Sequence, residues 1–171
     1  KEYGFLFDIG GGSTETTIFC TNPLRYSTVS ISYGVINHPE KVEIFGEDFI
    51  KKKLVHHFSS FFNSNKNFTQ NFISIGSCST MTTLCSVFQN HSFYDPKKIE
   101  GFEMKIDDVK STINYIEKMS STNLRNHPCI KNRYKLLLNG VKILSAIIHT
   151  IPLEKIIVTQ KGLRDALIEE L

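Results

Sequence analysis

Apolar residues recur along this chain in two rhythms, every second position and every third or fourth, and together they predict an α/β fold. Tyr3 to Ile9 is an apolar run, Glu15 to Cys20 resumes it with β-branched residues, and after the turn signal Thr21-Asn22-Pro23 the stretch Arg25 to Tyr33 alternates again. These segments predict an antiparallel meander of three strands. Ile50, Leu54, Phe58 and Phe61 mark one face of a helix from Gly46 to Phe62, ended by Asn63-Ser64-Asn65. Phe72 to Gly76 reads as a buried strand, and Met81, Leu84, Cys85 and Phe88 stripe the helix after it. Asp95-Pro96 breaks the chain, Phe102 to Ile106 is a short extended piece, and Asp107 is placed to N-cap a helix carrying Val109, Ile113 and Ile116. That portion is expected at the periphery. Arg133 to Thr150 reads as a long buried helix stopped by Pro152, Glu154 to Thr159 as the final strand, and Leu163 to Leu171 as a closing helix led in by Gly162. The sum is one domain over residues 1–171, a mixed five-stranded sheet with helices on both faces.

Between the first two strands stands Asp8-Ile9-Gly10-Gly11-Gly12-Ser13-Thr14-Glu15. Consecutive glycines forfeit packing and cost conformational entropy, so their use is to bring bare backbone N–H groups close to a ligand. A carboxylate at the strand end supplies the complement, since hard oxygen ligands hold Mg²⁺ and Mg²⁺ is commonly shared with substrate phosphates. The alternative is an ordinary glycine hairpin turn with Asp8 as turn-former. A Walker loop is excluded because no lysine follows Gly12, and a dinucleotide fingerprint because the residues after the glycines alternate instead of opening a helix. A second anion site is expected where the strand ending at Gly76 meets a hydroxyl-rich turn and a helix N-terminus.

Composition narrows the classes. The 171 residues are 40% hydrophobic and 22% charged, ordinary for a globular domain, and the net charge of +3 tolerates an anionic ligand. No lysine or arginine block marks a nucleic-acid face, and Lys51-Lys52-Lys53 reads as a solvated helix face. No apolar stretch approaches the ~20 residues of a membrane span and no leader opens the chain, so a cytoplasmic location is expected. The four cysteines lack paired spacing and read as structural thiols, and His56-His57 as structural residues without metal spacing. Lys1 stands two residues ahead of a core strand without an initiator methionine, as expected of a piece of a longer protein.

The order of elements is similar to one ribonuclease-H-like, actin/hexokinase-type lobe. More specifically, Phe7-Asp8-Ile9-Gly10-Gly11-Gly12-Ser13-Thr14-Glu15 closely resembles the signature of the exopolyphosphatase and guanosine pentaphosphate phosphohydrolase family. Ile75-Gly76 through Thr80 to Leu84 resembles the family's second phosphate segment, Arg133 with Gly140 its long-helix motif, and Gly162-Leu163-Arg164-Asp165 its closing motif. The resemblance implies an Mg²⁺-dependent phosphohydrolase releasing terminal phosphate from inorganic polyphosphate or guanosine pentaphosphate. It implies Asp8 and Glu15 as metal ligands, with Glu15 also the catalytic carboxylate of this chain. Gly10, Gly11, Gly12, Ser13, Thr14, Thr80 and Arg133 are implied to bind phosphate. The chain would be the second, C-terminal lobe, partnered by a preceding lobe that carries the family's glutamate base, and a homodimer is admitted.

Four departures from the family pattern bear on activity: Asn37 where an arginine is usual, Cys78-Ser79 for a glycine pair, Lys135 for an aspartate, and Gln160 with Ala166 near the last motif. For Arg164 the simpler reading is a carboxylate partner, and for Arg133 a salt bridge stands against phosphate contact. Two other functions compete with hydrolysis: a phosphate- or nucleotide-sensing module without turnover, and an ATP-dependent kinase-type lobe.

Overall fold

The computed structural model describes residues 3–65 and 72–162. Strands β1 (Tyr3–Ile9), β2 (Thr14–Thr21) and β3 (Leu24–Ile31) form the expected antiparallel meander. Helices α1 (His38–Phe45) and α2 (Glu47–Ser64) follow, then β4 (Phe72–Gly76), parallel to β1, and α3 (Ser79–Phe88). Next come α4 (Pro96–Ile99), β5 (Phe102–Lys105), α5 (Ile106–Glu117) and α6 (Ser121–Asn126). A single 3₁₀ turn at Lys131–Arg133 then leads into α7 (Tyr134–Thr150) and β6 (Lys155–Val158). The sheet order is β3-β2-β1-β4-β6-β5, with β6 parallel to β4 and antiparallel to β5.

Alternation along paired strands gathers Phe5, Phe7, Ile9, Ile18, Met104, Ile156 and Val158 on one face, all buried. Over that face α2 lays Ile50, Leu54 and Phe58, α3 lays Met81, Leu84 and Cys85, and α7 lays Leu137, Val141 and Leu144. Each helix buries the stripe its three-to-four spacing creates, and each such side chain contributes about 1.5–3 kcal/mol. Helices α3 and α7 meet at Gly140, where a Cβ would lie 2.1 Å from Thr80 Oγ1. Only glycine admits so close a crossing.

Several elements differ from the sequence expectation. The sheet has six strands, because Phe102–Lys105 pairs with β6 and turns Met104 into the core; four residues are too few to announce a strand by alternation. The region is therefore not peripheral: Val109 and Ile116 of α5 are fully buried. Helix α5 starts at Ile106, not after an Asp107 cap, and Ile106 N–H donates to Glu154 O at 2.9 Å; Asp107 and Asp108 occupy the first turn, where their negative charge complements the positive helix end. Asp95-Pro96 is the cap and first residue of α4, with Asp95 Oδ1 accepting from Lys97 N–H at 3.1 Å. Helix α1 carries no continuous apolar stripe, and α6 is capped locally by Ser120, whose Oγ accepts from Asn123 N–H at 3.2 Å. Leu163 to Leu171, with Arg164 and Ala166, lies outside the described residues. None of the described helices is long and apolar enough to cross a membrane.

Candidate active site

β1 and β2 are joined by Gly10-Gly11-Gly12-Ser13, a turn closed by Gly10 N–H donating to Ser13 O at 2.9 Å. The stretch after β3 lies along this turn as a strap. Val35 N–H donates to Gly10 O at 3.0 Å, Ile36 N–H to Gly11 O at 2.8 Å, and Asn37 Nδ2 to Gly12 O at 2.7 Å. Asn37 Oδ1 in turn accepts from Gly34 N–H at 2.8 Å, and Asn139 of α7 donates to Val35 O at 2.9 Å. Gly34 permits the approach, because a Cβ there would lie 2.4 Å from the Gly11 backbone. With all three glycine carbonyls held, the N–H groups of Gly11, Gly12 and Ser13 have no protein acceptor among the described residues. Successive unpaired amides on one turn are an anion-binding concavity. None of the three lies in the left-handed region; a Cβ on Gly10 would come within 3.2 Å of Ser13 O and one on Gly11 within 3.0 Å of Ile36 Cδ1, whereas Gly12 has open space to 4.0 Å, so packing does not ask for glycine at Gly12. That weighs against a purely conformational role for Gly12.

A cleft of about 680 Å³ opens beside the turn, at the C-terminal ends of β1 and β4, where open α/β sheets receive ligands. Asp8, Gly10 and Gly11 line one side, Ser77 to Ser79 at the start of α3 another, and Arg133, Tyr94, Gln160 and Gly162 the rest. Asp8 pairs directly with Glu15 across β1 and β2, which places both carboxylates on the same face of the sheet. Partial burial and then the Glu15 charge raise the Asp8 pKa above its ordinary value. Glu15 is oriented by Ser30 of β3, whose Oγ donates to Glu15 Oε1 at 2.6 Å, and it does not itself line the cleft. Opposed carboxylates of this kind fit a divalent cation, which removes the like-charge conflict. No group of three or more His, Cys, Asp or Glu suited to a metal occurs among the described residues.

Four sequence-expected phosphate ligands do not line the cleft: Gly12 and Ser13 stand on the turn beside it, and Thr14 and Thr80 are placed elsewhere. Thr14 is fully buried and its Oγ1 donates to Tyr33 O at 2.6 Å, because β2 begins at this residue and its parity turns the side chain inward. Thr80 is 2% exposed, faces Gly140 and does not line the cleft. Arg133 does line it, at the N-cap position of α7, and makes no ion pair among the described residues, so the salt-bridge alternative is not realised there. Cys78 is buried and its thiol is pushed up to about 11 by burial, which keeps it protonated and inert. Lys135 is exposed and outside the cleft.

Tyr94 escaped the sequence reading, and Asn37 and Gln160 entered it only as departures from the family pattern, without the roles the structure gives them. Asn37 clamps the turn, a role that depends on a contact 25 residues away in sequence. Tyr94 and Gln160 line the cleft, and Gln160 is fixed there by Glu100, whose carboxylate accepts from Gln160 N–H at 3.0 Å and from Thr159 Oγ1 at 2.7 Å. Gln160 drew notice only as a departure from a motif.

Known proteins share this fold. The crystal structure of the type II variant of the Aquifex aeolicus Ppx/GppA phosphatase superposes with a TM-score of 0.81 at 21% identity, over 99% of this chain and 57% of that one. An exopolyphosphatase-like protein superposes at 0.78 with 16% identity, covering 98% of this chain and 58% of its own. An exopolyphosphatase from Cytophaga hutchinsonii does so at 0.74 with 15% identity, covering 98% and 56%. This chain thus spans a little over half the length of these structures. No curated protein matches it significantly. The description of the Ppx/GppA phosphatase family matches residues 1–171, and the chain belongs to that family.

Proposed function

We propose that this chain is the C-terminal, phosphate- and metal-binding lobe of a phosphohydrolase that releases the terminal phosphate of inorganic polyphosphate or guanosine pentaphosphate. The observation that carries the reading is the row of acceptor-free N–H groups on Gly11, Gly12 and Ser13 beside a cleft lined by Asp8 and Arg133. In this role the three amides donate to oxygens of the terminal phosphate, and the Arg133 guanidinium binds phosphate with charge-assisted hydrogen bonds. The N-terminus of α3 at Ser79 adds the positive end of a helix to the same space. Asp8 and Glu15 hold Mg²⁺, which when bound supplies neutralising charge to the phosphoryl oxygens. The work of this lobe is thus electrostatic, with donors set in place before charge develops. A preceding lobe supplies the general base and closes the cleft against water. The free thiols of Cys20, Cys78, Cys85 and Cys129 suit a reducing cytoplasm.

Phosphate release from tripolyphosphate and from guanosine pentaphosphate, measured with Mg²⁺, tests the proposal. The 171-residue chain is expected to release almost none, and a protein extended upstream through the preceding lobe to turn over. Asp8→Asn in the extended protein should cost about 10²–10³-fold in rate, the scale of a lost electrostatic contact to the transferring group. Unchanged turnover in that variant contradicts the proposal. An extended protein that binds Mg²⁺ and tripolyphosphate without turnover favours the sensing module instead.

A further inference from the structure

His38, the first residue of α1, is 3% exposed, and both of its ring nitrogens are sealed from solvent without a hydrogen-bond partner among the described residues. The charged and titratable groups around it are Glu47 and Lys51 of α2, Glu117 of α5, and Lys142 and His149 of α7; the strap before it carries none. Glu47, the carboxylate whose charge acts on the ring, is already held by Lys142 Nζ at 2.6 Å and stands in solvent. A second ring proton would therefore find no acceptor and only a shared counter-charge. Charging a buried, unpartnered ring is disfavoured, and the positive end of α1 opposes it as well. Burial first, and then the Lys142 charge, lower the His38 pKa.

The place of the ring in the fold gives that charge a consequence. His38 is the only buried residue of α1; Val42 is half-buried, and Ile44 and Phe45 lie exposed, so little else fastens this helix to the body. On one side of the ring His38 N–H donates to Gly34 O at 3.0 Å, and the adjacent Asn37 ties Gly34 N–H and Gly12 O. At the far end of α1 stands Gly46, with φ 83° and no neighbour within 4 Å of a Cβ, a position able to absorb a backbone change. We propose that His38 is a pH-sensitive latch: neutral, it plugs α1 onto the body and keeps the strap on the glycine turn; protonated, it leaves its site and frees α1 and the strap together, with Gly46 as the hinge. A freed strap no longer ties the carbonyls of Gly10, Gly11 and Gly12, and a weaker hold on phosphate follows; that consequence rests on the reading of the turn as the phosphate site. The latch has its full strength above the ordinary imidazole value of about 6.5 and loses it as pH falls from there toward the lowered value of the folded ring.

Amide hydrogen exchange of the ligand-free chain, corrected for the intrinsic rate at each pH, tests the latch. Protection at Val35, Ile36, His38 and Lys41, whose N–H groups are bonded along the strap and the start of α1, should fall between about pH 6.5 and about pH 5.5. One linked proton limits the fall to about tenfold per pH unit, and amides in the middle of α7 should keep their protection. His38→Leu, which fills the site with a side chain that cannot charge, should abolish the fall; if that variant does not fold, His38→Gln serves as the neutral control. Protection independent of pH in the parent, a fall that the neutral variant shares, or an equal fall throughout α7 overturns the proposal. Saturating Mg²⁺ and tripolyphosphate at the lower pH should restore the lost protection, because a ligand that binds only the closed strap stabilises it by mass action. A pH response that this ligand does not restore upholds the latch and contradicts the phosphate reading of the turn.

Discussion

Asp8 opposes Glu15 in register, and its partial burial, reinforced by the Glu15 charge, sets the sign of a pH effect. Folding raises the Asp8 pKa, so the folded protein holds the Asp8 proton more tightly than the unfolded chain does. Stability of the metal-free protein therefore falls as pH rises from the unfolded value of about 3.9 through the raised folded value. Asp8→Asn is expected to leave metal-free stability at pH 7 unchanged or higher by no more than about 1 kcal/mol, because water screens an exposed pair. The same variant should weaken Mg²⁺-dependent pyrophosphate binding by about two orders of magnitude. Thermal melts and calorimetry read the two effects separately; reduced stability with unchanged binding would contradict the metal role. Asn37→Ala strips a partner from Gly12 O and Gly34 N–H. It should cost about 1–2 kcal/mol in stability and weaken phosphate binding by about tenfold, measurable in the same pair of experiments. The glycine turn and the pairing of Asp8 with Glu15 were legible in the sequence because both belong to one hairpin. The inward turn of Thr14 was not, since it follows from the residue at which β2 begins, nor was Asn37, whose partner is fixed only by the tertiary fold.

At the scale of elements, the crossing of α3 and α7 holds the far wall of the cleft. Gly140→Ala drives a methyl onto Thr80 Oγ1 at 2.1 Å, and overpacking of this kind costs about 1–3 kcal/mol. Thr80→Ala in the same chain should recover part of that loss, a coupling that denaturant titrations of the double-mutant cycle detect. Thr80→Ala alone should leave phosphate binding unchanged; a loss of affinity with intact folding would return Thr80 to the phosphate site. Long elements with full stripes, α2 and α7, were legible to within one or two residues of their ends. The short strands β4 and β6 and the extended piece at Phe102 were legible too, but α1, α4, α6 and the pairing of β5 into the sheet were not. β5 joins the sheet because β6 offers it an edge, and α1 is held by the strap that precedes it more than by any stripe of its own.

For the molecule as a whole, the α/β class and the family were legible because one nine-residue motif and the order of elements point the same way. The sixth strand and the composition of the cleft wall were not, because Tyr94, Arg133 and Gln160 converge on Asp8 only when distant elements close around β4. On the proposed function, the turn between β1 and β2 holds phosphate through its own amides. The direct test follows backbone amide resonances of the ¹⁵N-labelled chain while Mg²⁺ and tripolyphosphate are added. Gly11, Gly12 and Ser13 should show the largest changes, with Gly10, already bonded to Ser13 O, moving much less. Absence of change at these three amides, or changes confined to the start of α3, would contradict the account.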